Sequence, residues 1–260
     1  MTSTHLDHAP KERALREQKA WDETPLYENI QKLHHRFSHV YSCPAVQRAD
    51  QWRLKKLRQA VHNGVVLDYG CYMGSETSVY LEMNPKELWG IDISMRGIEY
   101  CRRTYGNRAM FVQGDAQQMT MFRDGYFDVI VGWAILHHLH FPKAIHEIRR
   151  VLKPGGTAIF MEPLRDNPAG KLFRLLTPQA RTKDEMPLSR RQIEWADSMF
   201  SGSDHYFLSL TSTPVAVATS LIPGLSSNNA LLSWCADLDD RLRYHPVKYW
   251  MRAVYLCWIK

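Results

Sequence analysis

The sequence predicts an α/β fold in which a seven-stranded, mostly parallel sheet carries helices on both faces. Short apolar and β-branched runs alternate with segments of helical periodicity through most of the chain, as in proteins whose parallel strands are joined by helices. From Val65 to Leu81 a buried strand, a tight glycine turn and the start of a helix follow one another. Acidic residues stand where this strand and the next two end, so we expect a ligand site at that edge of the sheet.

The turn after the first strand contains Gly70 and Gly74, which let the backbone pass close to a ligand at the start of a helix. Its spacing is D-x-G-x-x-x-G, whereas a pyrophosphate-binding turn has G-x-G-x-x-G and no carboxylate aimed at the phosphates. Here Asp68 stands two residues before the first glycine. We therefore predict a ligand that presents an amine to this turn.

The stretch DYGCYMG, from Asp68 to Gly74, resembles the first motif of class I S-adenosylmethionine-dependent methyltransferases, acid-x-Gly-Cys-Gly-x-Gly. Later motifs follow in that family's order, and the resemblance extends from Val65 to Leu164, within the small-molecule, type 11-like subgroup. It implies a Rossmann-like fold and S-adenosyl-L-methionine as the cofactor. Tyr72 departs from the family's glycine, so its side chain must lie over the cofactor or in solvent. A turn in another doubly wound fold is the alternative.

The resemblance implies cofactor contacts at the ends of four strands. Asp92, 24 residues after Asp68, is placed to accept hydrogen bonds from both ribose hydroxyls. Asp115 and the backbone N–H after it match the adenine site, and Trp133 falls beside the sulfonium. The predicted cofactor-binding residues are Asp68, Gly70, Cys71, Tyr72, Gly74, Asp92, Ile93, Asp115, Ala116, Gly132 and Trp133.

Three residues are candidates for catalysis. His137 and His138 follow the fourth strand and Glu162 closes the fifth, so we expect all three at the rim where acceptor and methyl group meet. Methyl transfer from a sulfonium mainly requires alignment, and a general base matters only when the acceptor is a weakly acidic hydroxyl or an ammonium. Histidine titrates near neutrality and is the natural base. The alternative is that the histidines are structural.

The sequence predicts no metal site. His137, His138 and His140 could bind zinc together only if their loop folded back, and no cysteine or acid pair lies near them in sequence. The five cysteines are odd in number and widely spaced, which suits a reducing compartment rather than a disulfide framework. No signal peptide or long apolar run is apparent, so we expect a cytoplasmic protein without a membrane span.

The 260 residues are enough for one α/β domain with an appended cap. We predict an N-terminal helical cap over residues 1–62 and a cofactor-binding domain over residues 63–260, with residues 165–200 as a lid or substrate segment. The apolar C-terminal region could touch a membrane, although packing against the sheet edge is favoured. Charged lid residues could bind a phosphate or carboxylate on the acceptor, or form a solvated face. These are Arg165, Lys171, Arg174, Arg181, Lys183, Asp184 and Glu185.

We predict a methyltransferase that acts on O, N or C of a small molecule, either an apolar or aromatic specialised metabolite or a sugar-containing one. Residues 162–189 resemble a subgroup found in sugar and specialised-metabolite pathways. The net charge of +6 suggests an RNA or protein methyltransferase instead, but no N-P-P-Y-type motif follows the fourth strand and no RNA-binding module is present, so no nucleic-acid partner is expected. A second alternative is a cyclase or a non-methylating subunit that binds S-adenosylmethionine on the same fold. A homodimer is a further candidate assembly.

Overall fold

The computed structural model describes residues 5–260, with side-chain surroundings from residue 12 onward, so residues 1–4 of the predicted cap lie outside the described part. The predicted seven-stranded sheet is confirmed. Its strands are β1 (Val65–Tyr69), β2 (Glu87–Asp92), β3 (Met110–Gln113), β4 (Phe127–Trp133), β5 (Leu152–Pro163), β6 (Gly202–Leu208) and β7 (Ala253–Ile259). They lie in the order β3-β2-β1-β4-β5-β7-β6. The first five pair in parallel, and β7 is antiparallel to both β5 and β6.

Helices precede, connect and follow the strands. Before the sheet come α1 (His5–Glu23), α2 (Leu26–Arg36), α3 (Ser38–Ser42) and α4 (Pro44–Val61). Between the parallel strands lie α5 (Thr77–Leu81), α6 (Met95–Tyr105) and α7 (Phe141–Val151). After β5 come α8 (Pro168–Leu176) and α9 (Arg190–Met199), and β6 and β7 are separated by α10 (Ser212–Ser220) and α11 (Ala230–Leu242).

The central strands are buried on both faces, which explains their unbroken apolar sequences. Successive residues of a strand point to opposite faces, so neighbours enter different cores. Leu67 and Ile130 belong to the core on one face, together with the apolar side of α7, whereas Val66 and Val129 belong to the core on the other. The sheet thereby holds the ends of β1 and β4 in fixed positions.

The N-terminal helices divide into two groups by what they contact. Leu57 and Val61 of α4 enter the core beneath the sheet, and Ala49 packs with β6, β7 and α11. In contrast, α1 contacts α6, and α2 contacts residues 178–180. Helix α4 is thus part of the layer that covers the sheet, while the division of the chain at residues 62 and 63 stays a prediction.

The predicted lid segment also has two parts. Ile193 and Ala196 of α9 are fully buried in the main core, so α9 covers the sheet. Residues 165–188 instead cross the strand ends, where the side chain of Asn29 on α2 donates to the carbonyl of Gln179 at 3.1 Å. The C-terminal apolar strand packs as expected, because Val254 through Trp258 are buried. Among residues 5–260, no helix combines the length and the apolarity needed to cross a bilayer.

Candidate cofactor and acceptor site

A cavity of about 570 Å³ lies where β1, β2, β3 and β4 end, within the size range of small-molecule sites. Helices α1 and α2 and residues 173–185 contribute further walls. Nine of the eleven predicted cofactor residues line it. They are Asp68, Gly70, Cys71, Tyr72, Asp92, Ile93, Asp115, Ala116 and Trp133, and the candidate catalytic residues His137 and His138 line it as well.

The glycine turn explains why Gly70 must be glycine. Its φ is +78°, and a Cβ atom there would stand 2.6 Å from Cγ1 of Ile135. The resemblance also places Gly74 and Gly132 at the cofactor, but neither lines the cavity. A Cβ on Gly74 would meet the ring of Tyr105 at 2.8 Å, and one on Gly132 would meet the ring of Phe160 at 2.4 Å. These two glycines allow close packing behind the cavity wall rather than facing its interior.

Two buried carboxyl groups, those of Asp68 and Asp92, dominate the electrostatics of the cavity at the ends of β1 and β2. The hydroxyl of Thr77 donates to Oδ2 of Asp68 at 2.9 Å, and burial raises the pKa of Asp68 to about 7. Asp92 accepts the backbone N–H groups of Tyr72 and Ser94, each at 2.8 Å, and burial raises its pKa to about 6. Within the described chain neither carboxylate has a basic partner within 4.0 Å. A cationic or hydroxyl-rich ligand would therefore stabilise both in their ionised forms.

The third acid, Asp115, is more open than the other two. Its Oδ1 accepts from the backbone and side-chain nitrogens of Gln117, both at 2.9 Å. The hydroxyl of Tyr69 donates to the carbonyl of Ala116 at 2.8 Å and holds the adjacent backbone in place. This pocket corner offers a carboxylate beside a rigid stretch of main chain.

Tyr72 turns toward the cavity roof. Its φ is +41°, a left-handed conformation that a non-glycine residue rarely adopts. The ring centroid lies 4.8 Å from that of Trp21 on α1 and 5.4 Å from that of Tyr27 on α2. Its hydroxyl is buried without a hydrogen-bond partner among the described residues. Of the two predicted placements, the structure has the ring over the cavity.

Glu162 does not line the cavity, so the expectation that it stands at the rim is corrected. It is fully buried, and its carboxylate accepts the backbone N–H groups of Ile135, Leu136 and His137 at 3.0, 2.7 and 3.3 Å. Nδ1 of His137 lies 2.7 Å from its Oε2. Burial lowers the pKa of His137, and the neighbouring His138 lowers it further, although Glu162 opposes both. Glu162 therefore orients a neutral imidazole that itself faces the cavity.

His138 has different partners and the opposite shift. Its Nδ1 lies 3.2 Å from Oε2 of Glu17 on α1 and 3.2 Å from the hydroxyl of Thr182. Burial disfavours the imidazolium, but the carboxylate of Glu17 outweighs this effect and raises the pKa of His138. Thr182 in turn donates to Glu17 at 2.7 Å. His138 thus ties the loop after β4 to α1 and to the segment after α8.

The fold also brings Glu185 to the two histidines, although this acid lies far from them in sequence. His137, His138 and Glu185 place ligand atoms within 4.8 Å of one another. Arg181 is already paired with Glu185 at 2.6 Å between Nη1 and Oε1, so this carboxylate has a cationic partner. We therefore interpret the group as a charge-balanced wall of the cavity.

Sequence reasoning missed the part of the wall that comes from β7 and α4. The hydroxyl of Tyr255 donates to Oδ1 of Asp50 at 2.5 Å, and both line the cavity. Burial and the Asp50 charge raise the pKa of Tyr255. Arg252, just before β7, lines the cavity as well. No local signal marks these residues, because they lie about 200 positions apart.

The strand order, the antiparallel seventh strand and the acids at the ends of the first strands define a Rossmann-like fold with its ligand site at the strand ends. In sequence, residues 67–160 match the type 11 methyltransferase family, described as a methyltransferase domain. Residues 67–160 thus carry the sequence of a methyltransferase domain, on a Rossmann-like fold similar to that of a solved S-adenosylmethionine-dependent methyltransferase.

Two curated relatives and one solved structure give the extent of the similarity. The chain is 34% identical over 100 residues to the fatty-acid O-methyltransferase of Mycolicibacterium smegmatis, and 32% identical over 100 residues to the phthiotriol/phenolphthiotriol dimycocerosates methyltransferase 1 of Mycobacterium ulcerans. Each match covers 37% of this chain and 36% of the relative, so it spans little more than a third of either protein. An S-adenosylmethionine-dependent methyltransferase from Archaeoglobus fulgidus superposes with a TM-score of 0.57 at 15% identity, covering 82% of this chain and 94% of that one.

Proposed function

We propose that this chain transfers a methyl group from S-adenosyl-L-methionine to a small-molecule acceptor. The observation that supports this most is the pair of buried carboxylates, Asp68 and Asp92, at the ends of adjacent strands in one cavity, neither with a cationic partner among the described residues. Burying two carboxyl groups is costly unless a ligand contributes the missing partners. An amine beside Asp68 and ribose hydroxyls beside Asp92 would supply them.

The remaining residues fit the same cofactor. Asp115 and the backbone at Ala116 offer an acceptor and a donor to the adenine, and Tyr72 closes the roof with an unpaired hydroxyl. When bound, the cofactor supplies a methyl group activated by positively charged sulfur. Trp133 and Ala134 lie at the end of β4, between this part of the cavity and the histidines.

The chain's own contribution to the reaction is alignment and, for a hydroxyl acceptor, proton removal. Because Nδ1–H of His137 donates a hydrogen bond to Glu162, the other ring nitrogen of this cavity-lining residue carries no proton and can accept one from the acceptor. A lowered pKa keeps this ring neutral at pH 7, as a base requires. His138 is held near Glu17 and is the weaker candidate.

The acceptor part of the cavity favours an apolar molecule. Leu26, Ile30 and Leu33 from α2, Phe173 from α8 and Met161 from β5 give the cavity an apolar lining. The two curated relatives are named for fatty acids and for phthiotriol/phenolphthiotriol dimycocerosates, and the fatty-acid name supports an acceptor with apolar character. All five cysteines are free and buried, so the proposal includes a reducing, cytoplasmic location.

The test combines cofactor binding with product analysis. Calorimetry should show binding of S-adenosylhomocysteine, and incubation with S-adenosylmethionine and a panel of apolar hydroxyl, carboxyl and amine compounds should release S-adenosylhomocysteine together with a methylated product. Failure of the wild-type protein to bind either cofactor form would defeat the proposal. Conversion of an acceptor without release of S-adenosylhomocysteine would instead support the cyclase alternative.

A further inference from the structure

Arg252 is held at the cavity wall without a carboxylate partner. Its backbone is fixed between two strands, because its N–H donates to Leu208 and Ser209 at the end of β6 and its carbonyl accepts from Leu164 at the end of β5. Its Nε atom is buried and has no hydrogen-bond partner in the part of the chain that the structure describes. Across residues 12–260, no carboxylate oxygen lies within 4.0 Å of its guanidinium. The side chain therefore brings an uncompensated positive charge to the cavity.

Two other arginines with little exposure are paired with carboxylates, whereas Arg13, which also lines the cavity, donates to the backbone carbonyls of His137 and Asp184. Arg53 lies 2.6 Å from Glu76, and Arg181 lies 2.6 Å from Glu185. Since a guanidinium loses solvation when it is buried, a partner is the usual arrangement. The contrast suggests that the partner of Arg252 comes from outside the chain.

The surroundings of Arg252 are also suited to an anion. Its Cζ lies 5.7 Å from the ring centroid of Tyr41, which in turn stacks 3.9 Å from the ring of His34. Burial lowers the pKa of His34, and Arg252 lowers it further. Burial raises the pKa of Tyr41, while Arg252 and Arg181 oppose the rise. Both rings line the cavity, so a positive potential and polar hydrogens converge there.

Arg252 precedes a strand on the side of β1 opposite to β2 and β3, whose ends carry the predicted cofactor contacts Asp92 and Asp115. In the sheet β7 lies three strands from β1 and two from β4. With strands about 4.8 Å apart, Arg252 stands roughly 14 Å from the end of β1 and roughly 10 Å from the end of β4. A ligand bound there must extend across the acceptor part of the cavity.

We propose that Arg252 forms the anion-binding end of the acceptor site, where it holds a carboxylate or phosphate that is not itself methylated. This inference rests on the proposed function. The acceptor would place its reacting atom near His137 and its anionic group at Arg252, with Met161 of β5, the strand between β4 and β7, along the way. Guanidinium binds carboxylate and phosphate through paired N–H donors, so the site selects an amphipathic anion.

The test compares three eight-carbon probes on the full chain saturated with S-adenosylhomocysteine: octanoate, octyl phosphate and 1-octanol. Calorimetry should show at least one anion binding about tenfold or more tightly than the alcohol, as expected for hydrogen bonds to a charged group. The tighter of the two anions identifies the group as carboxylate or phosphate. Equal affinities for the alcohol and both anions in the wild-type protein would overturn the proposal, whatever the variants do.

The variants assign the preference to this residue. Arg252→Gln should abolish it, and Arg252→Lys should keep part of it. Arg243→Gln is the matched control, because Arg243 also lies over a ring, 4.3 Å from that of Tyr206, but is near Asp240 and outside the cavity. An unchanged preference in Arg252→Gln would refute the assignment. Binding of S-adenosylhomocysteine is measured first, so that loss of cofactor binding in wild type counts against the proposed function, and loss of anion preference alone counts against this site.

Discussion

The Nδ1 atom of His137 lies 2.7 Å from the Oε2 atom of Glu162, and both side chains are buried. The same carboxylate accepts three successive backbone N–H groups of the loop after β4. One acid at the end of β5 therefore fixes both the loop and the tautomer of its histidine. This relationship gives His137 and Glu162 different expected phenotypes.

For a hydroxyl acceptor, His137→Ala should lower the rate of single-turnover methyl transfer by about 10² to 10⁴ and leave cofactor affinity nearly unchanged. Because the pKa of His137 is lowered, the wild-type rate should stay constant as pH falls toward 6.5, its ordinary value, and decline only below that. His138→Ala is the comparison and should mainly reduce stability. A rate that is flat down to about pH 5, with His137→Ala within about threefold of wild type, would exclude a histidine base.

Glu162→Gln should destabilise the protein by about 2 kcal/mol or more, because an amide cannot accept all the hydrogen bonds that the buried carboxylate takes. Denaturant unfolding monitored by circular dichroism measures this loss. Glu194→Gln is the control, since Glu194 is paired with Arg190 at the surface and should change stability by less than about 0.5 kcal/mol. Equal, small effects of the two substitutions would show that the buried carboxylate does not hold the loop.

Asp92→Ala should weaken binding of S-adenosylhomocysteine by about 1.5 to 3 kcal/mol, the scale of hydrogen bonds to a charged group. Asp92 also accepts from the backbone of Tyr72 and Ser94, so the turn itself should loosen. Asp124→Ala, at an exposed acid paired with Arg150, is the control for general effects of charge. Unchanged affinity of Asp92→Ala for S-adenosylhomocysteine would refute the assignment of Asp92 to the ribose hydroxyls.

Cofactor affinity should depend on pH through Asp68. Its pKa is about 7 in the folded protein and 3.8 as the ordinary value, so folding favours its protonated form. This contribution to stability is present below about pH 4 and is lost as pH rises through about 7. Binding of an amine requires the ionised form, so affinity for S-adenosylhomocysteine should rise between about pH 5.5 and about pH 8. In Asp68→Asn only the change below about pH 7 that belongs to Asp92, whose pKa is about 6, should remain. A wild-type slope retained in this variant between about pH 7 and about pH 8 would assign the dependence to another group.

Tyr72→Gly should have opposing effects on the empty and the loaded protein. Glycine relieves the left-handed backbone at φ +41°, but it removes a ring that packs on Trp21 and Tyr27. We expect weaker binding of S-adenosylhomocysteine, by about tenfold, from loss of the cavity roof. Tyr72→Phe keeps the ring and removes only the unpaired hydroxyl, so it should bind nearly as wild type does. If Tyr72→Gly binds and turns over unchanged, the ring has no part in the site.

The features that sequence alone predicted are local ones. The strand, glycine turn and helix around Gly70, the acids at the strand ends and the buried fourth strand depend on short-range spacing and on apolar periodicity, which are printed directly in the chain. Those features were sufficient for the fold class, and they brought nine of the eleven predicted cofactor residues to one cavity. The two exceptions, Gly74 and Gly132, allow close packing behind the cavity wall and do not line the cavity.

Only the tertiary structure decided how distant residues combine. The order of strands brings Glu162 into hydrogen-bond contact with His137 and places Arg252 at the cavity wall. The docking of α1 brings Glu17 to His138 and raises the pKa of that histidine. Burial sets these pKa shifts and partnerships, and burial is a property of the packed chain. Local sequence therefore identifies the candidate acids and bases of this protein, while packing determines which of them are charged, which are paired and which can contact a ligand.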